Sequence, residues 1–365
     1  MSAATRRAAK HESENEGDRV APFQTPTFTL AGLSARLNAP DFPGEPYASV
    51  QSLIDAGYDD IPLPGAGNTL KRWQVLATVA RHDLTLAKLF ESHTDALAIL
   101  NELKHDSSAI PDGLLAVWCA EPPDKRVFMS RLPSGAHGVQ ISGVKAWCSG
   151  AAHVRHALVS VRDEANLSCL VAVEMNQPGV RVTQAGWHAV GMAGTASVDV
   201  VFEDAEGSMI GGPGGYVERP GFAHGAAGIA ACWYGGASAI AEQVRQTLRR
   251  RPDDPHALAH LGTIDVALTQ ARGVLHTAAE AIDACPGEPC AHAVRRARLA
   301  VEAAAETVLL HASRALGAAP MCKDARFAHM MADLPVFIRQ SHAERDLAAH
   351  GLAVTQRVEE GPWTL

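Results

Sequence analysis

The sequence predicts an α+β protein with an N-terminal helical region, a small central antiparallel β domain and a C-terminal four-helix bundle. Three observations predict this order. Apolar residues recur three and four positions apart before about residue 104, and they alternate in short β-branched runs between residues 114 and 202. Helical spacing then returns after a glycine-rich stretch at 211–215. With 365 residues, the chain is long enough for two or three such units.

The first two segments are a lead-in and a helical domain. Residues 1–25 mix both signs of charge and contain no apolar run, so we expect a disordered lead-in. The N-terminal helical domain is predicted over residues 26–112. Its apolar residues lie at helical spacing on both sides of residues 62–68, whose sequence Pro-Leu-Pro-Gly-Ala-Gly-Asn predicts a turn between helices.

The β domain is predicted over residues 113–210. Its expected strands share short apolar or β-branched runs that Gly, Pro or Asn residues separate. They cover residues 116–118, 138–141, 157–161, 170–173, 180–182 and 198–202. Because apolar and polar residues alternate in several of these runs, we expect an antiparallel sheet.

The four-helix bundle is predicted over residues 211–365. Its four Ala-rich segments have helical spacing and cover residues 223–249, 256–285, 290–316 and 325–350. The helical spacing is interrupted between consecutive segments, at Pro252, at Pro286 and at residues 317–320. Long helices joined by short loops pack antiparallel, which favours a bundle.

Composition excludes several classes of function. The net charge is −8 and the basic residues are dispersed, so we expect no nucleic-acid partner. The sequence contains no apolar run near the roughly 18 residues that a membrane helix needs, so we expect no membrane span. The seven cysteines form no Cys-x-x-Cys pair and no zinc-like grouping, which favours reduced thiols in a cytoplasmic protein without a metal site.

Three segments resemble motifs of the acyl-CoA dehydrogenase family. Residues 141–151, ISGVKAWCSGA, are similar to the family's segment that lies against the flavin ring. Residues 118–122, WCAEP, resemble its C-x-T-E-P motif, and residues 187–197 followed by 201–204 resemble the stretch that closes its β domain. Because the motifs have the family's order, the chain resembles a divergent acyl-CoA dehydrogenase-like flavoprotein over about residues 50–350.

The resemblance implies FAD as the cofactor. It would place Trp147 against the isoalloxazine ring and the hydroxyl of Ser149 beside flavin N5. Cys148, between these two residues, belongs to the same cofactor-binding segment. Backbone groups of Cys119 and Ala120 would face the pyrimidine edge of the flavin.

The resemblance also implies where a catalytic base would lie. In this family a Glu removes the α-proton of an acyl thioester while the β-hydride leaves for flavin N5. Ser341 stands at the usual Glu position, where its N–H could polarise the thioester carbonyl, and Glu218 lies near an alternative position. Glu218 is therefore the candidate base, or else a first-turn Glu that complements the helix dipole. His342 is a candidate acid or base, or else part of a surface pair with Asp346.

Three functions follow from these residues. The first is an FAD-dependent acyl-CoA dehydrogenase of fatty acid metabolism that acts on acyl-CoA or a similar thioester. By resemblance, it would form a homodimer or homotetramer and pass electrons to an electron-transfer flavoprotein. The second is a flavin-dependent monooxygenase on the same fold, which the Ser341–His342 pair allows. The third is a non-catalytic relative, which the short, stiff segment 122–126 and the missing R-x-x-F-G signature favour.

Overall fold

A computed structural model describes residues 28–103, 113–131, 138–356 and 363. The predicted lead-in over residues 1–25 lies outside these described residues. The described chain begins with helices, continues through strands and ends with helices, which confirms the predicted fold class. The N-terminal helices are α1 (Leu30–Leu37), α2 (Pro46–Asp55), α3 (Thr69–His82) and α4 (Leu84–Glu102).

The β domain is a small, nearly closed barrel. Its strands are β1 (Leu115–Trp118), β2 (Val127–Arg131), β3 (Gly138–Cys148), β4 (His156–Arg162), β5 (Ser168–Glu174), β6 (Val180–Val182) and β7 (Val198–Ile210). Strand pairing follows the ring β4–β2–β3–β7–β5 and returns to β4, while β1 also pairs with β4 and β6 also pairs with β7.

One part of the strand prediction is wrong. Strand β4 pairs in parallel with β1 and, through Phe128 and Arg162, with β2, so the sheet is mixed rather than purely antiparallel. Parallel partners need a long connection, and the chain between β1 and β4 provides one because it contains both β2 and β3. The sequence pattern also did not predict β2.

The C-terminal region contains three long helices and a fourth, broken segment. Its helices are α5 (Gly215–Glu218), α6 (Pro220–Leu248), α7 (Pro255–Ala284), α8 (Ala291–Leu316), α9 (Ala319–Lys323), α10 (Ala325–Phe337) and α11 (Glu344–Thr355). Helices α6, α7 and α8 agree with the first three predicted segments.

The predicted helix over residues 325–350 is interrupted. Helix α10 passes into a 3₁₀ turn over Ile338–Gln340, Ser341 is extended, and Ala343 has a φ of 43°. Pro335 lacks the N–H that an α-helix requires, which weakens the last turn of α10. The polar segment that carries Ser341 and His342 is therefore a bend between two helices.

Close packing joins the N-terminal helices to the bundle. A Cβ on Gly235 of α6 would lie 2.4 Å from the carbonyl oxygen of Ala77 in α3, so glycine allows this close approach. The carboxylate of Asp283 in α7 also accepts hydrogen bonds from the backbone N–H and hydroxyl of Thr69 at the start of α3, at 3.0 and 2.6 Å. None of the described helices has the length and apolarity needed to cross a bilayer.

Candidate functional site

A β-bulge presents Trp147 at the end of β3. Lys145 pairs with Val200 of β7, but Cys148 pairs with Val198, so β3 contains one extra residue there. Trp147 has a φ of 58°, which is uncommon for a bulky residue, and 52% of its surface is exposed, whereas Cys148 is fully buried. The bulge therefore holds an indole at the surface of the barrel.

A row of buried hydroxyls begins two residues beyond this indole. The Oγ atoms of Ser149 and Ser197 are 2.7 Å apart, and Ser197 Oγ is 2.8 Å from the hydroxyl of Thr195. Thr195 donates its proton to the carbonyl oxygen of Met192 at 2.8 Å. Since each hydroxyl has one proton, Ser197 donates to Thr195 and Ser149 donates to Ser197. Ser149 Oγ is left as a hydrogen-bond acceptor for any further partner.

The segment that contains Cys119 and Ala120 is fixed beside this row. The indole N–H of Trp118 donates to the carbonyl oxygen of Ser149 at 3.1 Å. At the other end of the segment, Glu121 accepts two hydrogen bonds from the guanidinium of Arg162. The backbone of Cys119 and Ala120 is thus held between two anchored residues.

Lys145 connects the same segment to the core of the barrel. Its ammonium is fully buried and donates to the carbonyl oxygen and the hydroxyl of Ser160 at 2.6 and 2.7 Å. Ser160 in turn donates to Glu121 at 2.8 Å. Burial lowers the pKa of Lys145, although the nearby Cys119 and Glu121 oppose this effect. The three sequence motifs therefore meet in one hydrogen-bonded unit.

Cys148 contributes to this unit from inside the barrel. Its thiol lies 3.3 Å from the carbonyl oxygen of Lys145, and burial raises its pKa well above the ordinary value. The side chain therefore packs in the core, which leaves only its backbone to face a cofactor.

The candidate acid–base residues lie outside the β domain. Glu218 is exposed at the end of α5. His342 is also exposed, and it forms the pair with Asp346 that the spacing predicted: its backbone N–H donates to that carboxylate at 3.1 Å. Ser341 is buried and donates to Glu302 of α8 at 2.5 Å. The hydroxyl that the resemblance places at the position of the base is thus already bonded to a carboxylate.

The sequence analysis did not identify Ser160, Thr195 and Ser197 as site residues. Thr195 and Ser197 lie within a quoted motif, but their contact with Ser149 depends on the pairing of β3 with β7. The position of Lys145 in the sequence could have indicated a buried site residue. It lies four positions after the inward-facing Ile141, and residues an even number of positions apart in a strand face the same side. Such a residue is expected to face the core and to need a partner.

Comparison with known protein families identifies the family to which the chain belongs. The model of the acyl-CoA dehydrogenase middle domain matches residues 124–205, and that of the acyl-CoA dehydrogenase C-terminal domain matches residues 212–338. Together these stretches cover more than half of the chain. The chain belongs to the acyl-CoA dehydrogenase family. This result confirms the resemblance that the motifs indicated.

Solved structures of flavin enzymes share the fold. TdsC, the dibenzothiophene monooxygenase of Paenibacillus sp. A11-2, was solved with FMN and indole; it is 18% identical, with a TM-score of 0.75 over 90% of this chain and 96% of that chain. Methanesulfinate monooxygenase MsuC from Pseudomonas fluorescens is 20% identical, with a TM-score of 0.74 and the same coverage.

A third similar structure is the nitrososynthase of Micromonospora carbonacea var. africana. It is 16% identical, with a TM-score of 0.73 over 89% of this chain and 93% of that chain. Identities this low establish a shared fold and leave the reaction open. A search of curated protein sequences finds no match.

Proposed function

We propose that this member of the family binds a reduced flavin against Trp147 and acts as a monooxygenase on a small organic substrate. The direction of the hydrogen bonds at Ser149 is the observation that carries this proposal. Its proton is committed to Ser197, so its Oγ can only accept a further hydrogen bond. Flavin N5 carries an N–H in the reduced state and is an acceptor in the oxidised state, so Ser149 complements the reduced ring.

The described residues fit a flavin. Trp147 offers a half-exposed aromatic face whose orientation the bulge fixes, and Ser149 offers a polar partner two residues away. Cys119 and Ala120 contribute backbone groups on an anchored segment. We propose FMN in place of the FAD that the resemblance implies, because the pyrophosphate-binding R-x-x-F-G signature is missing from the sequence and TdsC was solved with FMN.

The proposed reaction balances with an external reductant. A bound flavin supplies the two electrons. Substrate, O₂, the anionic reduced flavin (FlH⁻) and one proton would give oxygenated substrate, oxidised flavin and water. In this reaction, Trp147 would cover the ring and Ser149 would accept a hydrogen bond from it, while the Lys145–Ser160–Glu121 network keeps the Cys119 segment in place.

Acyl-CoA dehydrogenation with Glu218 as the base is the second candidate, and membership of the family favours it. That reaction needs a carboxylate base on the opposite side of the substrate from the flavin. Ser341 occupies the usual position and donates its proton to Glu302, while Glu218 is exposed at the end of α5. These positions support oxygenation over dehydrogenation. We also propose the homodimer or homotetramer of the resemblance, which light scattering would test.

Absorbance spectra with FMN and with FAD test the proposal directly. We expect the purified chain to retain FMN and to consume O₂ when an external flavin reductase, NADH and indole or dibenzothiophene are added. A dehydrogenase would instead show anaerobic bleaching of its flavin by an acyl-CoA, and Glu218→Gln would abolish this bleaching. A chain that takes up neither flavin would contradict both enzyme functions and favour the non-catalytic relative.

A further inference from the structure

The row of hydroxyls that ends at Ser149 begins at a backbone carbonyl. The carbonyl oxygen of Met192 accepts the hydroxyl proton of Thr195 at 2.8 Å. The same oxygen accepts the backbone N–H of Thr195 at 3.0 Å and the indole N–H of Trp187 at 3.2 Å. A carbonyl oxygen only accepts, so the proton between Thr195 and Met192 comes from the hydroxyl. The direction of the whole row therefore depends on where this carbonyl lies.

Met192 holds its carbonyl in place from an unfavourable backbone conformation. Its φ is 56° and its ψ is 20°, which is the left-handed region that residues other than glycine seldom adopt. The residue is also buried, with 3% of its surface exposed. Such a conformation persists only where the surrounding structure fixes it. Contacts from outside the loop between β6 and β7 are therefore needed.

Helix α10 supplies these contacts. The backbone N–H of Met192 donates to Oδ1 of Asp333, a buried residue of α10, at 2.5 Å. One position earlier, Gly191 lies so close to α10 that an added Cβ would be 1.9 Å from the carbonyl oxygen of Ala332. The loop that closes the β domain is thus fixed by a residue of the C-terminal helical region.

Hydrogen bonds connect Asp333 to the candidate flavin site without a gap. Asp333 accepts from Met192, and Met192 accepts from Thr195. Thr195 then accepts from Ser197 at 2.8 Å, and Ser197 accepts from Ser149 at 2.7 Å. If the carbonyl of Met192 turned away, Thr195 could donate to Ser197 instead, and the row could reverse. Ser149 would then have a proton to donate to a further partner.

We propose that Asp333 is a positioning residue of the flavin site, which fixes Met192 and thereby makes Ser149 a hydrogen-bond acceptor. The inference rests on the proposed function. Reduced flavin offers an N–H at N5 and oxidised flavin offers an acceptor there, so the direction of the row decides which redox state binds more tightly. Asp333 makes the site favour the reduced state, and it acts through the loop.

Amide hydrogen exchange of the flavin-free chain tests the first step. Asp333→Ala removes the acceptor of the Met192 N–H, so the amides of Met192 and Thr195 should both exchange at least about tenfold faster. Asp333→Asn keeps an oxygen there and should restore their protection. Asp324→Ala is the matched control, because Asp324 accepts a backbone N–H from Phe327 at the start of the same helix. Wild-type protection of Thr195 in Asp333→Ala would overturn the proposal.

The midpoint potential of bound FMN tests the second step. In Asp333→Ala the preference for reduced over oxidised FMN should fall about tenfold, which lowers the potential by about 30 mV for a two-electron couple. Asp333→Asn should keep the wild-type potential, because its oxygen fixes Met192 without a charge. An equal shift in Asp333→Asn would mean that the charge of the carboxylate acts directly, and would overturn the proposal. Asp324→Ala should leave the potential unchanged.

Thr195→Val tests the row independently of the folding of Asp333→Ala. Valine keeps the shape of threonine and lacks the hydroxyl, so Ser197 can turn its proton toward Ser149 and the potential should again fall. An unchanged potential in Thr195→Val would overturn the proposal. If the wild-type protein binds FMN and Asp333→Ala keeps its potential, only this inference fails. If the wild-type protein takes up no flavin, the proposed function fails and the inference fails with it.

Discussion

Replacement of Lys145 by Met removes the charged group at the centre of the β domain and keeps the length of the side chain. The ammonium of Lys145 is fully buried and donates to two oxygens of Ser160. Met cannot donate to either oxygen, so the carbonyl loses the hydrogen bond from Lys145 while the hydroxyl keeps its bond to Glu121. Glu121 itself remains paired with Arg162.

The expected loss of stability follows from these contacts. Hydrogen bonds to a charged group contribute about 1.5–3 kcal/mol each, so two of them set an upper bound of about 6 kcal/mol. Burial of the ammonium is itself unfavourable, and Met avoids this cost while filling similar space. We therefore expect the free energy of unfolding to fall by about 2–4 kcal/mol.

Urea unfolding followed by tryptophan fluorescence measures this change. Lys323→Met is the control, because Lys323 is exposed at the end of α9 and a surface substitution of this kind changes stability by about 0.5 kcal/mol or less. Equal midpoints for Lys145→Met and the wild-type protein would show that the buried network contributes nothing to stability, and would refute the argument.

The pH dependence provides a second check with a definite sign. Burial places the pKa of Lys145 below its value in the unfolded chain. At a pH between these two pKa values the unfolded state binds more protons than the folded state. The free energy of unfolding of the wild-type protein therefore increases as the pH rises through this window. Lys145→Met lacks this contribution. The difference in unfolding free energy between wild-type protein and variant should therefore grow as pH rises toward about 10.5. A difference that shrinks would contradict the assignment.

Two further predictions concern the loop after β6 and the flavin. Gly191→Ala would place a Cβ 1.9 Å from the carbonyl oxygen of Ala332 in α10, so we expect a loss of at least about 2–3 kcal/mol in thermal or urea unfolding. A Cβ on Gly212 would meet nothing within 4 Å, so Gly212→Ala is the control and should leave stability nearly unchanged. If Gly191→Ala lowered stability no more than Gly212→Ala does, the loop that contains Gly191 would be free to move away from α10, and the prediction would be wrong. Trp147→Ala should weaken FMN binding about 5- to 150-fold, since aromatic stacking contributes about 1–3 kcal/mol. Fluorescence titration measures this effect, and the exposed Trp363→Ala should leave the affinity unchanged.

The sequence predicted the order of the elements because that order is encoded locally. Helical spacing persists within each of α6, α7 and α8, and Pro or Gly residues mark their ends. The same spacing did not reveal the bend at residues 338–343, because four polar residues in succession suit either a surface helix or a turn. Contacts of Ser341 with Glu302 and of His342 with Asp346 stabilise the bend, and Glu302 belongs to another helix.

The sequence by itself determined the fold class, the family motifs and the position of Trp147 and Ser149 within one of them. Only the tertiary structure decided that a bulge against β7 exposes Trp147 and that Ser197 takes the proton of Ser149. It also placed Gly225 of α6 beside Oδ1 of Asp95, a buried oxygen that has no hydrogen-bond partner among the described residues. These features depend on residues that are distant in the chain, and the burial that fixes proton positions and shifts pKa values exists only after those residues have packed together.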